Sequence, residues 1–166
     1  MGVESDLRER MEAIAARFPQ PLSAIIPILY LVQKQYGYVT KEGMELAAEV
    51  LGTTPAYVDS VASFYTMLHR QPVGKYVLQI CRTLPCALMG AEEVIAYVQE
   101  KLGIRPGETT ADRLFTVETV ECLAACHVAP LMMVNEVYKV RLDRAKLDAI
   151  LDECTDGTTP YSDEIY

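Results

Sequence analysis

The chain has 166 residues, 51% hydrophobic and 23% charged, enough for one ordinary domain, or a small domain with a helical extension, around a real core. This composition excludes disordered and fibrous classes. A formal net charge of −8 excludes a nucleic-acid protein, which needs a concentrated basic face.

The first ten residues carry Glu4, Asp6 and Glu9 and no apolar signal core, so the cytoplasm, or a membrane's cytoplasmic face, is the expected compartment. From Val3 to Phe18 the apolar residues Leu7, Met11, Ile14, Ala15 and Phe18 recur at steps of three and four, which predicts a helix stopped by Pro19 and Pro21. A second helix, Leu22 to Tyr36, is apolar on more than one side, with Ser23 as its cap and Gly37 as its end. Its longest apolar run, Ile25 to Val32, is interrupted by Pro27 and too short to span a bilayer. Thr40 caps a third helix that runs to Gly52. Thr54 followed by Pro55 opens a fourth, running from Ala56 to about Tyr65. Four short helices joined by short turns predict a small bundle over residues 1–70.

After Gln71-Pro72-Val73-Gly74, read as a linker, the period changes. Tyr76 to Ile80 is a strand ending in Cys81, Ala91 to Leu102 an amphipathic helix closed by Gly103, and Leu114 to Val120 a second strand running into Cys122. Leu131 to Val134 and Val137 to Val140 flank Asn135-Glu136 as a hairpin, and Asp143 to Leu151 is a closing helix. The expected architecture is α/β: an N-terminal small helical bundle followed by a thioredoxin-like domain with a mixed four-stranded sheet over residues 71–154, then a tail over 155–166.

Four of the five cysteines stand at the ends of the two leading strands, spaced C-x4-C at Cys81 and Cys86 and C-x3-C at Cys122 and Cys126. Thioredoxin-type redox chemistry favours C-x-x-C, which neither pair has, and structural disulfides are disfavoured in a reducing compartment. A four-cysteine zinc site is the alternative, although zinc knuckles favour tighter spacing. A 2Fe-2S cluster fits better, because it needs two thiolates on each iron and two loops can supply one pair apiece. Such a centre carries net negative charge and needs backbone N–H donors, in loops that Pro85 and Pro130 stiffen.

Gly74-Lys75-Tyr76 through Cys81-Arg82-Thr83-Leu84-Pro85-Cys86, Lys101-Leu102-Gly103-Ile104, Gly107-Glu108-Thr109-Thr110, Val120-Glu121-Cys122-Leu123-Ala124-Ala125-Cys126 and Ala129-Pro130 together resemble the thioredoxin-like 2Fe-2S ferredoxins. The resemblance is strongest to the NuoE-type subunit of NADH:quinone oxidoreductase, respiratory complex I. Similar subunits occur in NAD-reducing hydrogenases and NAD-dependent formate dehydrogenases. It extends over most of the chain and includes Ser63-Phe64-Tyr65. It implies one 2Fe-2S cluster held by Cys81, Cys86, Cys122 and Cys126, and a non-catalytic electron-transfer role. It also implies docking onto a NuoF-type flavoprotein subunit that binds FMN and NADH, with the helical N-terminus as the expected partner-holding segment. Arg82, Ala124 and Val128 depart from the family's frequent Thr, Gly and Asn; none removes a ligand, and all three bear on hydrogen bonds to the sulfurs.

The absence of a Gly-x-Gly-x-x-Gly fingerprint agrees with flavin and nucleotide lying on a partner. His127 is read as a loop or interface residue and His69 as solvated or at a subunit contact. Cys154 is read as a spare thiol past the last helix, Met132 and Met133 as packing residues, and no Asp/Glu pair suggests acid–base catalysis.

Overall fold

The structure, a computed structural model, describes residues 2–158. The tail tyrosines Tyr161 and Tyr166 lie outside the described residues. The chain divides into two compact units, the first running to Pro72 and the second starting at Val73.

The first unit consists of α1 (Gly2–Ala15), α2 (Ile25–Tyr36), α3 (Lys41–Leu51) and α4 (Pro55–Phe64). Their apolar stripes meet in one core that includes Leu7, Met11, Ile28, Leu29, Val32, Ala47, Val58 and Ala62. Local chemistry sets the boundaries. Thr40 Oγ1 accepts from the Gly43 amide at 3.0 Å and Thr54 Oγ1 from the Tyr57 amide at 3.3 Å, while Gly37 and Gly52 close their helices at positive φ. Gly43 has a packing role as well, since a Cβ there would lie 2.3 Å from Val32 Cγ1; its absence lets α2 and α3 approach closely. Two expectations are corrected. The first helix ends at Ala15, and Phe18 packs back on the core from the following turn. Ser23 is no cap: Pro21 starts a 3-10 turn over Pro21–Ala24, and α2 begins only at Ile25, behind Ala24.

The second unit runs β1 (Tyr76–Cys81), α5 (Leu84–Leu88), α6 (Ala91–Leu102), β2 (Phe115–Val120), β3 (Leu131–Val134), β4 (Val137–Val140) and α7 (Arg144–Thr155). The strands form one mixed sheet in the order β2-β1-β3-β4, with β1 parallel to β2 and antiparallel to β3. The α/β order and mixed four-stranded sheet are those the sequence predicts. Leu78, Ile80, Val117 and Met132 from the sheet pack with Val94 and Val98 of α6 and Leu147, Ile150 and Leu151 of α7. Across α6 and α7, Tyr97 Oη donates to the Asp148 carboxylate at 2.8 Å, and Lys101 Nζ lies 2.8 Å from the same oxygen.

Three details differ from the sequence reading. Gly74 is no linker residue: it is buried, its amide donates to Thr116 Oγ1 at 2.7 Å, and a Cβ would lie 2.6 Å from the Phe115 carbonyl carbon. The last helix extends to Thr155, which places Cys154 in the core and not in a polar tail. The five-residue α5 is an addition to the expected elements.

The hairpin between β3 and β4 turns on Asn135 and Glu136, both at positive φ. Asn135 also braces the central strand: its Oδ1 accepts from the Val77 amide at 2.9 Å and its Nδ2 donates to the Lys75 carbonyl at 2.8 Å. Replacing Asn135 with Ala removes both bonds and the residue type that best tolerates this φ. The expected loss is about 1–3 kcal/mol of unfolding free energy, read by urea denaturation.

Candidate metal centre

Parallel pairing of β1 and β2 sets Cys81 opposite Val120 in the last rung, and the Arg82 amide continues the ladder by donating to the Val120 carbonyl at 3.1 Å. The two chains therefore leave the sheet side by side. One carries Cys81 and then Cys86; the other carries Cys122 and Cys126. Arg82 and Glu121, the first residues beyond the strands, face each other at 3.9 Å.

Cys81 is the last residue of β1 and is buried. Cys86 is buried in α5, whose start repeats the Thr-then-Pro pattern seen at α4, with Thr83 in the cap position and Pro85 in the first turn. Here the threonine does not cap. Its Oγ1 lies 3.2 Å from Cys81 Sγ instead. Cys122 and Cys126 are exposed, their sulfurs 3.8 Å apart, and Cys126 opens a 3-10 turn over Cys126–Val128 that carries His127 to the surface. All five cysteines are free thiols.

The sulfurs are surrounded by amides. The N–H groups of Thr83 and Leu123 donate to Cys81, that of Leu131 to Cys86, and that of Ala124 to Cys122 at 3.3 Å. Ala124 reaches that position in the left-handed region, at φ 61°. Leu123, from the second loop, thus serves a sulfur of the first. Burial works against ionising Cys81, but the Thr83 hydroxyl and the two amides outweigh it and hold this thiol below its ordinary range. Burial pushes the Cys86 thiol up to about 11, helped by its bond to Cys81. Cys126 is raised chiefly by its contact with Cys122, with a lesser contribution from partial loss of solvent, and it also feels the charge of Cys81. Electrostatic influence therefore runs between the loops as well as within them.

Among the described residues, no group of three or more His, Cys, Asp or Glu side chains is arranged to hold a single metal ion. The arrangement is two sulfur pairs, each from one loop, with amides aimed at them. Two thiolate pairs on adjoining loops fit the two-thiolates-per-iron requirement of a 2Fe-2S centre.

Residues 11–155 match the family described as thioredoxin-like [2Fe-2S] ferredoxin. The chain belongs to the thioredoxin-like [2Fe-2S] ferredoxins. Membership of this ferredoxin family carries its cofactor, one 2Fe-2S cluster. The chain is 44% identical over 146 residues to an NADH-quinone oxidoreductase subunit of the E type from Rhizobium meliloti (strain 1021), a match covering 88% of this chain and 87% of the relative. It is 46% identical over 154 residues to NADH-quinone oxidoreductase subunit 2 of Thermus thermophilus, covering 91% and 85%. In fold it resembles a solved NAD+-reducing [NiFe]-hydrogenase in the air-oxidised state, with a TM-score of 0.68 at 20% identity over 86% of this chain and 24% of that one.

Sequence reasoning singled out the four cysteines that the structure places on these two loops, but not Thr83 or Tyr138 beside them. The Tyr138 hydroxyl donates to the Leu123 carbonyl at 2.7 Å. Thr83 had a local signal, a hydroxyl two residues beyond a cysteine; Tyr138 had none, because it arrives from another strand.

In the metal-free chain, ultraviolet thiolate absorbance is expected to titrate in separate steps, Cys81 below the ordinary thiol range and Cys86 at about 11. Thr83→Val, which removes the hydroxyl beside Cys81, moves the lower step to higher pH.

Proposed function

We propose that the chain is an electron-transfer subunit that holds one 2Fe-2S cluster on Cys81, Cys86, Cys122 and Cys126 and carries no catalytic residues of its own. It pairs with an FMN- and NADH-binding flavoprotein subunit in NADH:quinone oxidoreductase or a related NAD-linked complex, on the cytoplasmic side of the membrane. The observation that carries this reading is the pair of two-cysteine loops at adjoining strand ends, with amides from both directed at their sulfurs.

When bound, the cluster supplies a one-electron centre with no bond made or broken on the protein. The chain's own residues hold it and set its surroundings. Cys81 and Cys86 form the buried side, where low dielectric strengthens each N–H···S bond; Cys122 and Cys126 form the side open to solvent. Thr83, Leu123, Ala124 and Leu131 offset the thiolate charge without introducing a proton-transfer group. Support for a peripheral position is that, among the described residues, no helix is long and apolar enough to cross a membrane.

Docking has a physical basis within each unit. Beside Cys86, Leu84 and Leu88 of α5 and Met89 just after it are exposed; in the first unit, Tyr57, Phe64 and Met67 are exposed on and just beyond α4. Apolar side chains of this size at the surface mark places that a partner covers, and the relatives' membership of a multisubunit oxidoreductase supports the flavoprotein as that partner.

Anaerobic purification is expected to give a reddish-brown chain with two irons and two acid-labile sulfides; one zinc and a colourless protein would overturn the assignment. Cys86→Ser or Cys122→Ser should impair cluster assembly. Cys154→Ser, in the core of α7, should lower stability yet leave the visible spectrum unchanged. Leu88→Glu is expected to keep the spectrum and reduce co-purification with the flavoprotein several-fold.

A further inference from the structure

Tyr138 stands on β4, the edge strand farthest in the sheet from β2. Its ring is half exposed, so burial does not account for its orientation. Its hydroxyl reaches the cysteine loop and donates to the Leu123 carbonyl at 2.7 Å. That carbonyl belongs to the same planar peptide unit as the Ala124 N–H, which donates to Cys122 Sγ at 3.3 Å. A donor on the oxygen of an amide polarises its N–H, so the two bonds strengthen one another through the shared peptide. The unit also needs fixing, because Ala124 is a non-glycine residue at φ 61°. Leu123 has a second role: its own amide donates to Cys81, so pinning this residue positions donors to one sulfur of each pair.

We propose that Tyr138 is a positioning residue of the iron–sulfur centre, setting through the Leu123–Ala124 peptide the strength of the hydrogen bond that Cys122 receives. A stronger N–H···S bond favours the more negative, reduced state of the centre and raises its potential; a weaker one lowers it. The inference rests on Cys122 being a cluster ligand.

The test is an EPR-monitored redox titration of the full chain, carried out at mildly acidic pH on wild type, Tyr138→Phe and a chain with 3-fluorotyrosine installed at position 138. Tyr138→Phe keeps the ring and removes the donor, and its midpoint should move negative at unchanged iron content. Fluorination makes the phenol a stronger donor while it keeps its proton, and that midpoint should move positive. Equal midpoints in all three would overturn the proposal, as would shifts of the same sign in both variants, which mark a packing effect. If Tyr138→Phe does not take up the cluster, the sign of the shift in the fluorinated chain decides. Failure of the ligand assignment is read separately, as normal cluster content in Cys122→Ser.

Discussion

The pairing of β1 with β2 in parallel is the constraint on which the site depends. Two antiparallel strands would send their following residues to opposite ends of the sheet, and no sulfur of one loop could approach the other. Parallel register brings Cys81 level with Val120, and the Arg82 amide adds one further rung before the chains separate. A parallel pair requires a crossover, which α6 supplies, and its faces must be covered, which explains why Val94 and Val98 share a core with Leu78 and Val117. The meeting of the two cysteine loops is thus a by-product of how a parallel sheet has to be built.

Neighbouring elements then act as braces. The β3–β4 hairpin contributes more than two strands: Asn135 ties its turn to the backbone of β1, and Leu131, its first residue, donates an amide to Cys86. Gly74 performs the equivalent function at the other end of β1, where the missing Cβ lets the backbone lie against Phe115 and reach Thr116. Substitutions at these positions would act on the site through the sheet.

What could be read from the sequence follows the range of the interaction. Thr40, Thr54, Gly37, Gly52 and Gly103 work within one helical turn, and their sequence patterns mark the helix ends correctly. The α5 helix has five residues, too few for any periodicity to register. The end of α7 is hard to place from sequence because Asp152, Glu153 and Asp156 look like a polar tail, although Leu147, Ile150, Leu151 and Cys154 keep the helical step. Gly74 and Tyr138 act across 42 and 15 residues of chain, and composition holds no trace of such contacts. The cysteines stood out because their number and spacing are a pattern in the sequence itself; the amides near their sulfurs did not, since every residue but proline has one.

The distribution of the apolar cores has one more consequence. The two large clusters, one in each unit, include none of Cys81, Cys86, Cys122 or Cys126; the first two belong to a small satellite cluster with Ala91, Ala129 and Leu131, and the other two are exposed. Small zinc modules fold only when metal supplies the missing core. Here the sheet and helices pack through apolar cores that leave the four cysteines out. Replacing any of these four cysteines with serine therefore takes no side chain out of either large core, and the change is confined to the loops and the small satellite cluster.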